Sequence, residues 1–390
     1  MTATATRPKG SSTTLTMPRT KLLAAVLAAS KAVTQKLNKP VLQNLRIGDG
    51  LVTGTDLELR IDCAIAEVCD PFLVPAARFC NILQKCFGDV VRLKANGTSV
   101  TVKCEPGEWV LPTEDVNEFP FWKLDGLHYL PGMPEDQFKK AVHFVLPCVD
   151  TQSSRYALGG VLIESSKEQV TLIATDGRRM ARSVCVHDGD NDIFEREPKT
   201  AGAKKAPIVP EGVMERVRDA CKEKGENLVT ASVGDSVIKF EVGNITLTAN
   251  LIAGRFPQWQ DVVAVPDCTP AHVYRKSFVD CMKASKIVTT EQSKGVTIVP
   301  KDDCLQINAQ SSELGHSKVE CAASQVGEMT QTKLDPAFVL DFLTHVPNDM
   351  PEVHVFCSSP TDKVLFGCDR DDTTGEYAYA CVIMPLAGDA

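Results

Sequence analysis

Apolar residues recur along this chain at helical spacing three times, and strand-like alternation follows each time. The first such stretch is Lys21 to Val33, where Leu22, Leu23, Val26, Leu27 and Val33 share a face. The second, Pro134 to Val145, groups Phe138, Ala141, Val142 and Val145. The third, Lys276 to Ile287, groups Phe278, Val279, Met282 and Ile287. This i, i+3, i+4 spacing predicts helices half-buried against a core. Predicted strands come next: Leu42–Ile47 and Leu51–Leu57, then Ala157–Glu164 and Val170–Ala174, then Gly295–Val299 and Cys304–Ala309. A second helix opens in each third at Val74-Pro75-Ala76, Val209-Pro210-Glu211 and Asp335-Pro336-Ala337. Proline is favoured at the first helical position, where its missing N–H is not needed. More strands close each third: Val90–Leu93 and Ser99–Cys104, Leu228–Val233 and Val237–Val242, Val353–Phe356 and Val364–Gly367.

The helix–strand order therefore repeats three times at a period of roughly 120 to 135 residues, a usual domain size. Each repeat predicts an α+β layer, two helices packed on a mostly antiparallel sheet. The domains are expected at residues 17–127, 128–268 and 269–390. Residues 1–16, rich in Thr, Ala, Ser and Gly, read as a disordered extension without the apolar core of a secretory signal. The polar stretch Asp188 to Ala206 reads as a long loop inside the second domain.

Composition narrows the function. With 43% hydrophobic and 24% charged residues the chain reads as a soluble globular protein. No apolar run approaches the roughly 18 residues a membrane span needs. The net charge of −8 argues against a compact domain that grips phosphates. It leaves room for a protein that surrounds DNA with a few cations on an inner wall. The 15 cysteines form no CxxC and none has an adjacent histidine, so reduced thiols used as small core residues are expected, with neither zinc nor disulfides. No cofactor is expected. There is no Walker loop, no GxGxxG after a strand, no HExxH and no GxSxG to announce an enzyme.

Five short motifs fall in order along the repeats: Gly54-Thr55-Asp56-Leu57-Glu58, Val74-Pro75-Ala76-Ala77-Arg78-Phe79, Thr175-Asp176-Gly177-Arg178-Arg179-Met180, Gly254-Arg255-Phe256-Pro257 and Tyr379 to Pro385. They resemble the "TGTDLE", "VPARKF", "ATDGHRL", "DGRFPDY" and "AYVVMPM" segments of bacterial DNA sliding clamps, the beta subunits of DNA polymerase III. Each is short, but five in order over about residues 17 to 387 of a triple repeat identify the chain as a member of that family. The resemblance implies the DNA clamp fold, with two chains closing head to tail into a six-domain ring, helices inside and sheets outside. It implies a non-enzymatic, cytoplasmic homodimer that encircles duplex DNA without sequence preference. The implied partners are the replicative DNA polymerase, the clamp loader and other proteins carrying a clamp-binding motif, and no membrane.

A sliding protein needs sequence-blind, salt-screened phosphate contacts rather than base contacts. Lys21 and Lys31 lie about 80° apart on the polar side of the first helix. Arg78 and Lys85 share a face of the next. Lys140, Arg218 and Lys222 lie off the apolar faces in the second domain, and Lys276, Lys283 and Lys286 align in the third. By resemblance, Lys36 and Gln152 also match DNA-facing positions. An ordinary solvated helix face would carry similar charges. Glu211 stands where the family commonly has a basic residue, and the third domain's second helix has no cation except His345.

The resemblance also implies an apolar groove for partner peptides between the second and third domains. Its residues carry over as Arg155 and Leu158, then Thr175, Gly177, Arg178, Arg179 and Met180. Pro257, Val262 and Phe338 follow, and Val382, Ile383, Met384, Pro385 and Leu386 complete it. Three departures bear on peptide preference: Arg178 replaces a histidine, Asp261 replaces an arginine, and Ala387 to Ala390 follow Leu386 without the usual terminal arginine. For the ring interface, Trp109 and Leu111 would meet Ile287 and Val288 of a second copy. Two other readings stay open: a divergent clamp with altered partners, and an enzyme with a cysteine nucleophile activated by a base brought near in the fold.

Overall fold

Among the described residues, each long helix starts within a residue of a strand's end, and proline makes most of these corners. The computed structural model describes residues 13–34, 39–124, 126–152, 156–166, 169–186, 206–223, 225, 227–291, 295–372 and 374–386. Its helices are α1 (Arg19–Ser30), α2 (Ala76–Lys85), α3 (Glu135–Val145), α4 (Glu211–Ala220), the single turn α5 (Gln260–Val263), α6 (Arg275–Lys286) and α7 (Pro336–His345). Pro18, Pro75, Pro134 and Pro210 cap α1 to α4, with φ between −59° and −54° and extended ψ. Each also ends the preceding strand. The expected first helical position thus holds only for Pro336, which follows Asp335; that side chain accepts a hydrogen bond from the Ala337 N–H at 2.8 Å. For Pro75 and Pro210 the corner corrects the expectation by one residue. A fixed φ near −60° suits the extended cap as well as the first helical residue.

The expected start of ordered structure at Met17 is also corrected. Thr13–Pro18 is a strand, paired antiparallel with Val90–Ala95 along its whole length. Alternation explains it: Leu15 and Met17 are buried while Thr14, Thr16 and Pro18 are exposed. Residues 1–12 and most of the expected loop 188–206 lie outside the described residues.

The chain divides into two compact units, residues 1–130 with 227–250, and residues 131–226 with 251–390. In the first unit, one sheet runs 13–18, 90–95, 99–104, 107–112. A second contains the strands 72–75, 44–48, 51–55, 59–64, 245–250, 237–242, 228–233 in that order. In the second unit the order is 208–210, 160–165, 169–175, 179–186, 377–383, 364–370, 352–356, 271–274, 315–325, 304–311, 296–300, 332–334. The three repeats thus share sheets. Leu59–Ala64 of the first repeat pairs with Ile245–Asn250 of the second, and Arg179–Val186 of the second pairs with Tyr377–Ile383 of the third.

Helices pack in pairs on the sheets, α1 with α2, α3 with α4 and α6 with α7. In α1, Leu22, Ala25, Val26 and Ala29 are buried. Gly54 lets this helix settle, because a methyl group there would collide with the Ala29 carbonyl oxygen. The two Thr-Asp motifs build the same turn. Asp56 accepts from the Glu58 and Leu59 N–H groups at 3.0 and 2.7 Å, and Asp176 from those of Arg178 and Arg179 at 2.9 Å each. Thr55 and Thr175 donate to the carbonyls of Leu59 and Arg179 at 2.9 and 2.7 Å. Both turns need a left-handed residue, Leu57 at φ 79° and Gly177 at φ 84°.

Gly54→Ala is expected to lower unfolding stability by about 1 to 3 kcal/mol through overpacking. A chemical-denaturation midpoint equal to that of the unaltered protein would show that α1 does not sit as closely as described.

Candidate functional site

The Thr175–Met180 turn is brought alongside the last strand. Met180 lies opposite Val382 and Arg179 opposite Ile383. The register continues past the strand: the Met384 N–H donates to the Arg178 carbonyl at 2.9 Å, and the Leu386 N–H to the Lys333 carbonyl at 2.8 Å. Thr175, Gly177, Arg178, Met180, Val382, Ile383, Met384, Pro385 and Leu386 are therefore assembled at one place, although the sequence separates them by about two hundred residues.

Strand alternation divides this assembly between two faces. Met180 and Val382 enter a buried apolar cluster with Leu162, Ile173, Phe256, Val263 and Phe356, and Val262, Trp259 and Ala157 pack over its edge. Beside the cluster, Leu158 and Pro257 line an open groove of about 770 Å³ with Ala157, Arg255 and Phe256. Met384, just past the last strand, is 47% exposed. Arg178 and Asp261 are exposed, and Arg155 lies outside the described residues.

Arg179 takes the other face. Its guanidinium pairs with Asp176 at 3.0 Å and Asp341 at 2.7 Å, donates to the Pro147 carbonyl at 2.6 Å and lies 4.4 Å above the Phe338 ring. Its side chain is 9% exposed. Arg179 and Phe338 lock α7 onto the second repeat and line a small pocket with Phe144, Pro147 and Phe342.

Two residues that sequence reasoning missed hold the groove's α5 edge. Lys363 donates to the Asp261, Val262 and Ala264 carbonyls at 2.6, 2.8 and 3.3 Å, a cation seated on the end of a helical turn. Trp259 donates its indole N–H to Glu164 at 3.1 Å. Nothing local marked Lys363, which lies a hundred residues from the carbonyls it binds.

The cations expected to face DNA fall into two groups. Lys21, Lys31, Arg78 and Lys85 are exposed on the sides of α1 and its C-cap and α2 that face away from buried Leu22, Val26, Phe79 and Leu83. Lys276, Lys283 and Lys286 are likewise exposed on α6, opposite Phe278 and Met282. Within α3 and α4 the charges are partly satisfied: Lys140 pairs with Asp349 at 3.1 Å and Arg218 with Asp219 at 3.1 Å. Lys222 and Gln152 are exposed, and Lys36 lies outside the described residues. His143 and His345 meet with ring centroids 4.6 Å apart. Burial first, then His345, Arg218 and Lys139, lowers the His143 pKa, so His143 adds little charge at neutral pH.

One interface expectation is corrected. Leu111 is only 7% exposed and packs into its own domain, whereas Val110 is 64% exposed on the same strand, Gly107–Pro112. Trp109 is half-buried. Ile287, at the end of α6, is 75% exposed and Val288 half-buried.

For several of the cysteines burial works against a nucleophile. All 15 are free. Burial first pushes Cys63, Cys221, Cys321 and Cys368 up to about 12, away from the thiolate that attack requires.

Comparison with known proteins agrees with this architecture. The profile of the DNA polymerase III beta subunit N-terminal domain matches residues 13–125, and that of its central domain residues 132–258. Two similar curated proteins are the beta sliding clamp of Chlamydia muridarum, 25% identical over 94% of this chain and 97% of the relative, and that of Escherichia coli K12, 27% identical over 95% and 99%. Crystal structures of sliding clamps share the fold: that from Pseudomonas aeruginosa bound to griselimycin has a TM-score of 0.83 at 19% identity, over 97% of this chain and 100% of that one. The Bacillus subtilis clamp has the same TM-score, identity and coverage. The class is that of DNA sliding clamps. The chain belongs to the DNA polymerase III beta subunit family.

Replacing Arg179 by alanine is expected to lower unfolding stability by about 3 kcal/mol, because it leaves Asp176 and Asp341 without their partner. Arg178→Ala should stay within about 0.5 kcal/mol. Equal effects of the two substitutions would remove the distinction drawn between them.

Proposed function

We propose that two copies of this chain close head to tail into a ring around duplex DNA and hold the replicative polymerase there. The observation that carries this is the way sheets pass from repeat to repeat. The fourth strand of the first repeat, Leu59–Ala64, takes the last strand of the second; the corresponding Arg179–Val186 takes the last strand of the third. One more step of the same pattern would join Gly315–Gln325 to Gly107–Pro112 of another copy. Among the described residues, Gly107–Pro112 pairs on one side only, with Ser99–Cys104, and Gly315–Gln325 bonds to Ala271–Tyr274 only near its end, at Ala323 and Gln325. A two-fold axis satisfies both edges at once and needs no third copy. Val110 and Ile287 would then be covered.

Such a ring holds DNA by topology. The exposed lysines of α1 and α6 and Arg78 and Lys85 of α2 can touch phosphates weakly, which suits sliding despite a net charge of −8 per chain. The groove lined by Leu158, Phe256 and Pro257, beside the cluster of Met180 and Val382, would take an apolar peptide from the polymerase, the clamp loader or another clamp-binding protein. In this reading the protein is non-catalytic and works in the cytoplasm; no helix among the described residues is long and apolar enough to cross a membrane. A divergent clamp with altered partners is the second reading, favoured by the exposed Arg178 and Asp261 beside the groove.

The test is retention on circular against linearised plasmid after loading by the cognate clamp loader and washing in high salt. Retention on circles alone is expected, because salt weakens phosphate contacts and leaves a topological link. Equal loss from both would reject the closed ring. Val110→Asp and Ile287→Asp should each shift the dimer toward monomer in sedimentation at micromolar concentration; unchanged dimers would reject this seam. Truncation after Met384 should abolish binding of a polymerase-derived clamp-binding peptide and spare the dimer, and unaltered affinity would reject the groove.

A further inference from the structure

On the sheet face turned away from α6 and α7, three potential metal ligands converge. Ala271, Val273, Val353 and Val355 are buried toward the helices, so alternation sends His272, Glu352 and His354 to the opposite face. His272 and His354 are direct cross-strand neighbours, and Glu352 lies two residues before His354 on the same side of its strand. Their ligand atoms all lie within 4.8 Å of one another. His272 Nδ1 and Glu352 Oε1 are 3.6 Å apart. Around a tetrahedral zinc-class ion with bonds of about 2.0 to 2.1 Å, ligand atoms stand roughly 3.3 to 3.4 Å apart; the two imidazole rings, with centroids 4.0 Å apart and 33° between their planes, must turn about their side-chain torsions to aim both nitrogens at one ion.

The surroundings hold these side chains in place. Pairing between Ala271–Tyr274 and Gly315–Gln325 shifts register at His272 and Val273, which oppose Gln325 and Ala323 and leave Ser324 as the bulged residue. The Ser324 hydroxyl lies 3.2 Å from Glu352 Oε1 and 3.4 Å from the His272 carbonyl. On the other side, His354 Nδ1 lies 2.7 Å from the Tyr377 hydroxyl, whose ring packs where Gly367 has no side chain. With Nδ1 donating to that oxygen, Nε2 of His354 is left to bind a metal.

We propose that His272, Glu352 and His354 form a binding site for one divalent transition-metal ion of the zinc class, with water in the fourth position. Two imidazoles and a carboxylate are a donor set for zinc rather than for calcium or magnesium, which prefer oxygen alone. The ion would cross-link the strands Ala271–Tyr274 and Glu352–Phe356 of the third repeat. Tyr377 and Ser324 are positioning residues for it.

Calorimetric titration of the metal-free full-length protein with Zn²⁺, and a parallel Co²⁺ titration followed by visible absorption, test the site. One ion per chain is expected in the unaltered protein and in His143→Ala, whose histidine pair lies elsewhere. His354→Ala and Glu352→Gln should each remove saturable binding and the tetrahedral cobalt bands. Tyr377→Phe should weaken affinity about tenfold while keeping those bands. Circular dichroism reports whether each variant is folded, and Glu352→Gln serves should His354→Ala fail to fold. Absence of one-to-one binding in the unaltered protein, or binding undiminished in folded His354→Ala or Glu352→Gln, overturns the proposal.

Discussion

Main-chain hydrogen bonding at sheet edges governs this molecule. A strand at an edge offers a row of donors and acceptors that must be paired, covered or hydrated. Here the edge of one repeat is met by the final strand of the next, Leu59–Ala64 by Ile245–Asn250 and Arg179–Val186 by Tyr377–Ile383. The same pairing that joins repeats also brings Met180 and Val382 together in the apolar cluster beside the groove. Arg179 then fixes the seam from the helix side by tying the turn to Asp341 and Phe338.

Electrostatics follow from this division of labour. Cohesion resides in strand pairing and in buried apolar side chains, so cations are not required to hold the protein on its ligand. The overall negative charge and exposed lysines on selected helices are then compatible. In the second repeat, Lys140 and Arg218 are paired with Asp349 and Asp219 and burial lowers the His143 pKa, so its helices offer fewer unpaired cations than their sequence suggests.

Much of the fold was legible because helices and alternating strands leave local periodic marks. α3, α6 and the strands Ser99–Cys104 and Val237–Val242 lie within a residue or so of their expected spans. The Thr-Asp repetition carried real structural content, since both copies close the same turn. Errors arose where a partner far along the chain decides the outcome. Leu111 reads as one of three consecutive apolar residues on an edge strand, but whether it faces in or out depends on what its own domain places over it. The anchoring of α7 by Arg179 depends likewise on Asp341, 162 positions away, which accepts from its guanidinium. Lys363 and the His272, Glu352 and His354 cluster had no spacing signature, because sheet pairing assembles them.

The shared sheet of the first unit sets an order of events during synthesis. Leu59–Ala64 is made early, yet its partner Ile245–Asn250 belongs to the second repeat. A chain emerging from its amino end therefore carries an unpaired edge until some 190 further residues have been made. Such an edge is a template for pairing with another nascent chain. The first unit is thus complete only after most of the second repeat exists, and its folding is coupled to the pace of elongation rather than to its own sequence alone.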